Sequence, residues 1–197
     1  MEKLTGIRGP MFSEKTTELI GLCYRAEHAE KKAQAFKSTV DTRGDPNKLK
    51  SHNEFEYPAT SVDSAREILD KLGDGVNFVA IDEIQFFDDE IVDVVKILLR
   101  RNIEVVFNGL PTDFRNEPFG QMPVLLCLAN KIVDKVAVCT NKDGDAPQCN
   151  ADATKTQRKI NGKPASYNEP VVVIGASESY EARCHGHHVV LDAPDIS

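Results

Sequence analysis

Apolar positions along this chain recur in two rhythms, one suited to strands and one to helices. Leu4 to Arg8 is a short β-like run, and Thr16, Leu19, Ile20, Cys23 and Ala26 then fall at helical spacing. Ala33 to Lys37 is a second strand candidate, poor in β-branched residues. Ser38 to Thr60 is polar, and its length predicts a functional or partly mobile loop. Ser64-Ala65-Arg66-Glu67 has the form of a capping box, and Ala65, Ile68, Leu69 and Leu72 give the following helix its apolar face before Gly73 and Gly75 end it. Phe78-Val79-Ala80-Ile81 is an apolar run too short for a helix. Ile91, Val94, Val95 and Leu98 line one side of a helix predicted over Asp88 to Arg101. Glu104 to Leu110 reads as a strand, and Pro123 is placed to start a helix over Val124 to Ala129. Strand and helix alternate, which predicts an α/β fold: a parallel sheet with helices on both faces.

From about Val133 the rhythm changes. Val136-Ala137-Val138 leads into Cys139, a turn-rich insert follows from Asn141 to Gln148, and Cys149 closes it. Val171 to Gly175 reads as a strand, and Tyr180 to His187 carries Cys184, His185 and His187, with His188 next to them. Two strand–turn units bearing Cys and His predict a small zinc-ribbon module. Cys184-x₂-His187 has ligand spacing, whereas Cys139-x₉-Cys149 is wider than the usual two to four intervening residues. The expected organisation is an α/β domain over 1–135, a zinc-binding domain over 136–191 and a disordered tail over 192–197.

Composition narrows the classes. The chain has 197 residues, 41% of them hydrophobic, enough for one core with a small appended module. A net charge of −7 with no long basic run argues against holding a nucleic-acid polymer, though not a single nucleotide. No apolar run approaches the ~20 residues of a membrane span, and the first residues lack the apolar stretch of a signal peptide; the expectation is a cytoplasmic protein with no membrane partner. Five cysteines, unevenly spread, do not form a disulfide framework. Cys23 and Cys127 are expected to be small core hydrophobes, while Cys139, Cys149 and Cys184 share the last third of the chain with the histidines.

Two stretches carry chemistry. Gly9-Pro10-Met11-Phe12-Ser13-Glu14-Lys15-Thr16 follows a strand and opens a helix. It matches a phosphate-binding loop, G-x-x-x-x-G-K-[ST], except that Glu14 occupies the second glycine. In such a loop backbone N–H groups and the Lys cradle phosphates, and the hydroxyl binds Mg²⁺. The second stretch is Asp82-Glu83, which closes the apolar strand at 78–81. Acids at the carboxyl edge of a parallel sheet stand where ligands bind. There Asp82 can hold Mg²⁺ and Glu83 can accept a proton from a hydroxyl; equally, both can serve the N-terminus of the next helix. Phe114 and Phe119 lie in the loop at 112–120, as a lid, a base-stacking surface or core packing.

These stretches, with Phe36-Lys37, Asp41-Thr42-Arg43, Ser51-His52, Gln85-Phe86-Phe87, Gly109-Leu110, Thr112 to Arg115, Pro118-Phe119-Gly120, Thr156-Gln157-Arg158 and Gly175-Ala176, form an ordered set covering Gly9 to His187. The set resembles the thymidine kinases of the cytosolic, bacterial and viral type. The resemblance implies a RecA-like parallel α/β domain and a zinc-bearing domain whose lasso, here about Asn161 to Ile174, closes over the nucleoside. It implies transfer of the γ-phosphoryl group of ATP to the 5′-hydroxyl of thymidine with Mg²⁺, usually in a homotetramer. Carried over, Gly9, Pro10, Met11, Phe12, Ser13, Glu14, Lys15, Thr16, Asp82, Glu83, Ile84 and Gln85 belong to the ATP and Mg²⁺ site, and Glu83 is the general base. Met11, Phe86, Leu110, Phe114, Phe119, Thr156, Val171, Val172, Val173 and Tyr180 surround the nucleoside. Cys139, Cys149, Cys184 and His187 ligate Zn²⁺, with only family position favouring His187 over its neighbours. Arg43, Arg115 and Arg158 match motif arginines and are expected near phosphates.

The departures from that pattern are Glu14 for a glycine, Gly44 where a Tyr often follows Asp-Thr-Arg, Asn53 for an Asp after Ser-His, and the wide Cys139–Cys149 separation. The base and the nucleoside pocket are intact, so an active kinase is the expectation. The alternative is a nucleoside- or nucleotide-binding homologue without phosphoryl transfer, and Glu14 separates the two. A generic P-loop NTPase explains neither the Cys/His module nor the Phe-rich loop.

Overall fold

The structure, a computed structural model, describes residues 4–41, 44–172 and 180–195. In chain order the first elements are β1 Leu4–Arg8, α1 Lys15–His28, β2 Ala33–Ser38, β3 Lys48–Lys50, β4 Glu56–Val62, α2 Arg66–Asp70 and β5 Phe78–Asp82. α3 Ile91–Arg100, β6 Glu104–Gly109, α4 Met122–Leu128 and β7 Lys131–Asp134 follow. The seven strands form one sheet in the order β3-β4-β2-β5-β6-β1-β7, parallel except for β3 against β4.

Both faces of the sheet are covered, as the strand–helix alternation requires. Side chains alternate along each strand: in β5, Phe78 and Ala80 join Leu19, Ile20, Cys23 and Ala26 of α1. Val79 and Ile81 point the other way, into a cluster with Ile68 of α2, Ile91, Val94, Val95 and Leu98 of α3 and Leu125 of α4. β6 repeats the division, with Val106 toward α1 and Val105 and Phe107 toward the opposite cluster.

The remaining strands are β8 Ala137–Val138, β9 Asp152–Ala153, β10 Lys155–Ile160, β11 Lys163–Pro164 and β12 Tyr180–Arg183. β8 pairs with β9, and β10 lies between β11 and β12, all antiparallel.

Several expectations need correction. The polar stretch from Ser38 to Thr60 is not one long loop: it contains β3 and most of β4, and β4 pairs with β2 inside the main sheet. Pro58 and the many polar side chains hid a strand whose stability comes from its neighbours. The Ser64–Glu67 capping box does not form; Asp88 Oδ2 instead accepts the Ala65 N–H at 3.0 Å, and helix α2 runs only from Arg66 to Asp70. Asp88 therefore lies ahead of α3, which starts at Ile91. Cys127 is exposed rather than in the core, whereas Cys23 is fully buried. Of the strand expected over Val171 to Gly175, Val171 and Val172 are in no strand, and 173–175 lie outside the described residues. No helix is long and apolar enough to cross a membrane among the described residues.

Candidate active site

Because β1, β2, β5 and β6 run parallel, their carboxyl ends meet along one edge of the sheet. The loop after β1 turns there into α1. A Cβ at Gly9 would collide with the Lys135 carbonyl oxygen, so the close approach of β1 and β7 needs glycine. Phe12 and Glu14 adopt left-handed backbone, at φ 66° and 58°. That curl brings the Ser13 hydroxyl (2.8 Å) and the Lys15 ammonium (2.7 Å) onto the Pro10 carbonyl oxygen. Lys15 is buried, at the first turn of α1, with its charge inside the loop. Glu14 is exposed, and its Oε1 accepts a hydrogen bond from Asn53 Nδ2. Arg8 is not its partner, since the Arg8 guanidinium bonds Asp134. A cavity of about 260 Å³ opens above the loop, with Glu14 in its lining beside Lys37, Asp41, Ser51, His52 and Glu54.

The end of β5 closes the same cavity. Asp82 and Glu83 are both buried, and Asp82 Oδ1 accepts a 3.1 Å hydrogen bond from Thr16 Oγ1. Glu83 also has left-handed backbone (φ 48°), and it opens a single 3₁₀ turn over Ile84–Phe86. Gln85 Nε2 donates to Glu83 Oε2 at 2.5 Å, while Gln85 Oε1 accepts the Leu110 N–H at 3.1 Å. Gly120 packs on this turn so closely that a Cβ would lie 2.5 Å from the Gln85 carbonyl oxygen. The carboxylate of Glu83 is thus held by an amide that is itself clamped to the next strand's loop.

The predicted nucleoside residues gather beside this edge. Met11 donates its N–H to Thr156 Oγ1 at 3.1 Å, which ties the phosphate loop to β10. The rings of Phe86 and Phe119 meet edge to face at 5.7 Å. Phe114 is buried beneath the Arg158 guanidinium, 5.4 Å from its ring centre, and its carbonyl oxygen bonds His188 Nε2 at 2.9 Å. Arg158 donates through Nη1 to the Pro170 carbonyl, while its buried Nε has no partner among the described residues. Tyr180 is half-buried, and burial pushes its hydroxyl pKa up despite the nearby Arg158 charge. Arg115 pairs with Asp113 and lies over the Tyr167 ring, on the aromatic side rather than the phosphate loop. Val171 is partly buried and Val172 exposed; Val173, Arg43, Gly175 and Ala176 lie outside the described residues.

Cys139, Cys149, Cys184 and His187 come together, with their ligand atoms all within 4.8 Å of one another. His187 presents Nδ1, 3.3 Å from Cys184 Sγ and 3.7 Å from Cys139 Sγ. A tetrahedral zinc with Zn–S bonds of about 2.3 Å needs ligand separations of this order, so the donor set fits zinc. His188, bound to Phe114, takes no part, and His185 is exposed. Burial alone raises the Cys139 thiol. Hydrogen bonds from the Cys184 and Asn141 backbone and from His187 outweigh it and lower the thiol to about 6, which readies it as a thiolate ligand. The wide Cys139–Cys149 spacing is bridged by the β8–β9 hairpin, in which Cys149 N–H bonds the Asn141 carbonyl and Asn150 N–H bonds that of Cys139.

Two participants had no role assigned from the sequence. Asn108, at the end of β6, is fully buried against both Asp82 and Glu83. Gln157 forms a two-way amide bond with Val189, pinning the segment after the Cys/His cluster to β10. A polar residue closing an apolar strand, as in Val105-Val106-Phe107-Asn108, was the available signal for the first; the second stands inside Thr156-Gln157-Arg158, a motif that by itself gave it no role.

A family model described as thymidine kinase matches residues 2–188, nearly the whole chain. With the parallel sheet, the phosphate loop at its edge and the Cys₃His cluster all in place, this chain belongs to the thymidine kinase family, kinases that phosphorylate thymidine.

Proposed function

We propose that this chain transfers the γ-phosphoryl group of ATP to the 5′-hydroxyl of thymidine. The observation that carries the reading is the 3.1 Å contact between Thr16 Oγ1 and Asp82 Oδ1, which joins the phosphate loop to the acidic end of β5 at one cavity. Lys15 and the loop N–H groups bind the phosphates; once they do, Lys15 leaves the Pro10 carbonyl for phosphate oxygens. Thr16 and Asp82 would hold Mg²⁺, which supplies charge neutralisation between phosphate oxygens. Glu83 takes the proton of the 5′-hydroxyl, oriented by Gln85. Phe86, Leu110, Phe114, Phe119, Thr156 and Tyr180 enclose the base and sugar, with the valines at 171–173 along the lasso. The cluster of Cys139, Cys149, Cys184 and His187 would bind a structural zinc with no open position. The reading also divides the chain into a nucleotide-binding part over 1–135, a lasso part over 136–191 and a tail, and expects a cytoplasmic homotetramer.

The alternative, nucleotide binding without transfer, depended on the Glu14 carboxylate repelling phosphate. That carboxylate lines the cavity, but its exposure to water and its hydrogen bond from Asn53 weaken the repulsion, which favours the active enzyme. The test is purified protein with Mg²⁺-ATP and labelled thymidine. Formation of the monophosphate, competed by unlabelled thymidine and not by deoxyadenosine, supports the proposal, because a pocket that hydrogen-bonds a pyrimidine edge leaves its own groups unpaired with a purine. No product from folded, ATP-binding protein would establish the alternative.

A further inference from the structure

β6 lies between β1 and β5 in the sheet, so its carboxyl end separates the phosphate loop from the Asp82-Glu83 pair. In register, Asn108 stands opposite Ile7 of β1, one residue after the Phe107–Ile81 pair of β5. The strand's alternation places Asn108 on the same face as Val106, toward α1. Its two amide ends have opposite partners. Oδ1 accepts the Glu83 N–H at 2.8 Å. Nδ2 donates to Asp82 Oδ1 at 2.6 Å and approaches Thr16 Oγ1 at 3.5 Å. An ionised carboxylate offers no donor to Asp82 and an aliphatic side chain serves neither partner, whereas an amide donates and accepts at once.

We propose that Asn108 is a positioning residue for phosphoryl transfer, fixing the carboxylate of Asp82 and the backbone of Glu83 relative to each other and to Thr16. This rests on the kinase reading above. Glu83 needs such a hold. Its left-handed backbone is one that side-chain-bearing residues adopt only under constraint from their surroundings. Asn108 grips it at the N–H, and Gln85 at the carboxylate. Loss of the first grip frees the backbone to relax and carries the carboxylate away from the hydroxyl it must reach.

The experiment compares Asn108→Ala and Asn108→Asp with the parent under Mg²⁺-ATP and thymidine, with Tm and zinc content as folding checks. For Asn108→Ala, kcat should fall about 10- to 100-fold, the scale of a small misplacement of reacting groups. KM for thymidine should stay within about twofold, and the Mg²⁺ needed for half-maximal rate should rise, because Thr16 and Asp82 lose their common partner. Asn108→Asp keeps the size and the acceptor but must carry a proton to donate to Asp82. The titratable and charged groups on the surrounding elements are Asp82 at the end of β5, Glu83 just after it, Lys37 opposite Asp82 on β2, and Lys15 and Cys23 on α1. Two carboxylates sharing a site retain a proton to higher pH. The rate of the Asp variant relative to the parent should therefore climb as pH falls from about 8 to 6, while the Ala ratio stays flat.

Asn108→Ala with kcat within about twofold of an active parent, or Asp and Ala variants with the same pH-independent ratio, would overturn the proposal. If the Ala variant does not fold, the pH ratio of the isosteric Asp variant decides alone. A parent that makes no product defeats the kinase reading instead. Asn108 is then judged by Mg²⁺-ATP binding to the Asp variant, which must be tighter at the lower pH for the positioning role to stand.

Discussion

Glu14 Oε1 and Asn53 Nδ2 are joined by a 2.9 Å hydrogen bond between the phosphate loop and the turn after β3. Beside it the Phe12 and His52 rings stand 5.6 Å apart, so the turn at 51–54 meets the loop at two points. The two departures from the family pattern, an acid for a glycine and an amide for an acid, are therefore partners. An Asp at position 53 would face the Glu14 carboxylate as a like charge.

That pairing makes a coupled prediction. Glu14→Gly should lower KM for ATP several-fold with little change for thymidine, since it removes a carboxylate near the phosphates and relieves a left-handed backbone that costs a side-chain-bearing residue about 1 kcal/mol. Asn53→Asp alone should raise KM for ATP, and combining it with Glu14→Gly should cancel most of that rise. A double-mutant cycle on KM for ATP checks this; additive effects would mean that the contact is idle.

Glu83→Gln should cut kcat by at least about 10²-fold, the range for loss of a general base, while thymidine still binds. Gln85→Ala should cut it less, by freeing the carboxylate it now holds at 2.5 Å. Single-turnover rates with saturating thymidine separate these losses from weakened binding.

Metal analysis of protein purified without added zinc should find about one Zn²⁺ per chain, as for a closed four-ligand site. Cys184→Ser should lose it. The β8–β9 hairpin and β10 should then become protease-sensitive, and thymidine binding should weaken, because Thr156 and Arg158 stand on β10. Less than a tenth of an equivalent with the segment still protected would rule out a structural zinc.

Cys23 predicts an alkaline limit to stability. Burial, aided by the Glu27 and Asp82 charges, pushes its thiol from 9.0 up to about 12. The folded chain therefore keeps a proton that the unfolded chain releases above pH 9.0. Stability from this group is complete below that value and declines between it and about 12, by up to about 1.4 kcal/mol per pH unit. Tyr57 acts in the same direction, through burial and its hydrogen bond to Glu27. Urea midpoints at pH 8 and 10 should differ by less in Cys23→Ala than in the parent. Thiol labelling at pH 8 should modify exposed Cys127 and leave Cys23 untouched.

The sequence by itself determined the features that depend on local spacing. β1 and α1 follow from Leu4–Arg8 and the helical repeat Leu19, Ile20, Cys23, Ala26, and the burial of β5 follows from an apolar run closed by two acids. The phosphate loop, the acidic pair and the four Cys/His ligands were legible for the same reason: each is a short pattern whose chemistry is set by residue type. Tertiary structure decided what depends on which strands become neighbours. β4 is stabilised by β2 and not by its own polar, proline-containing sequence, and the cap on α2 comes from Asp88, more than twenty positions away. Exposure of Cys127 depended on what α4 packs against. Glu14 finds its partner in Asn53, 39 residues on, and the site of Asn108 exists only because β6 inserts between β1 and β5. Hydrogen-bond partners distant in sequence leave no periodicity in it, so only the fold could pair them.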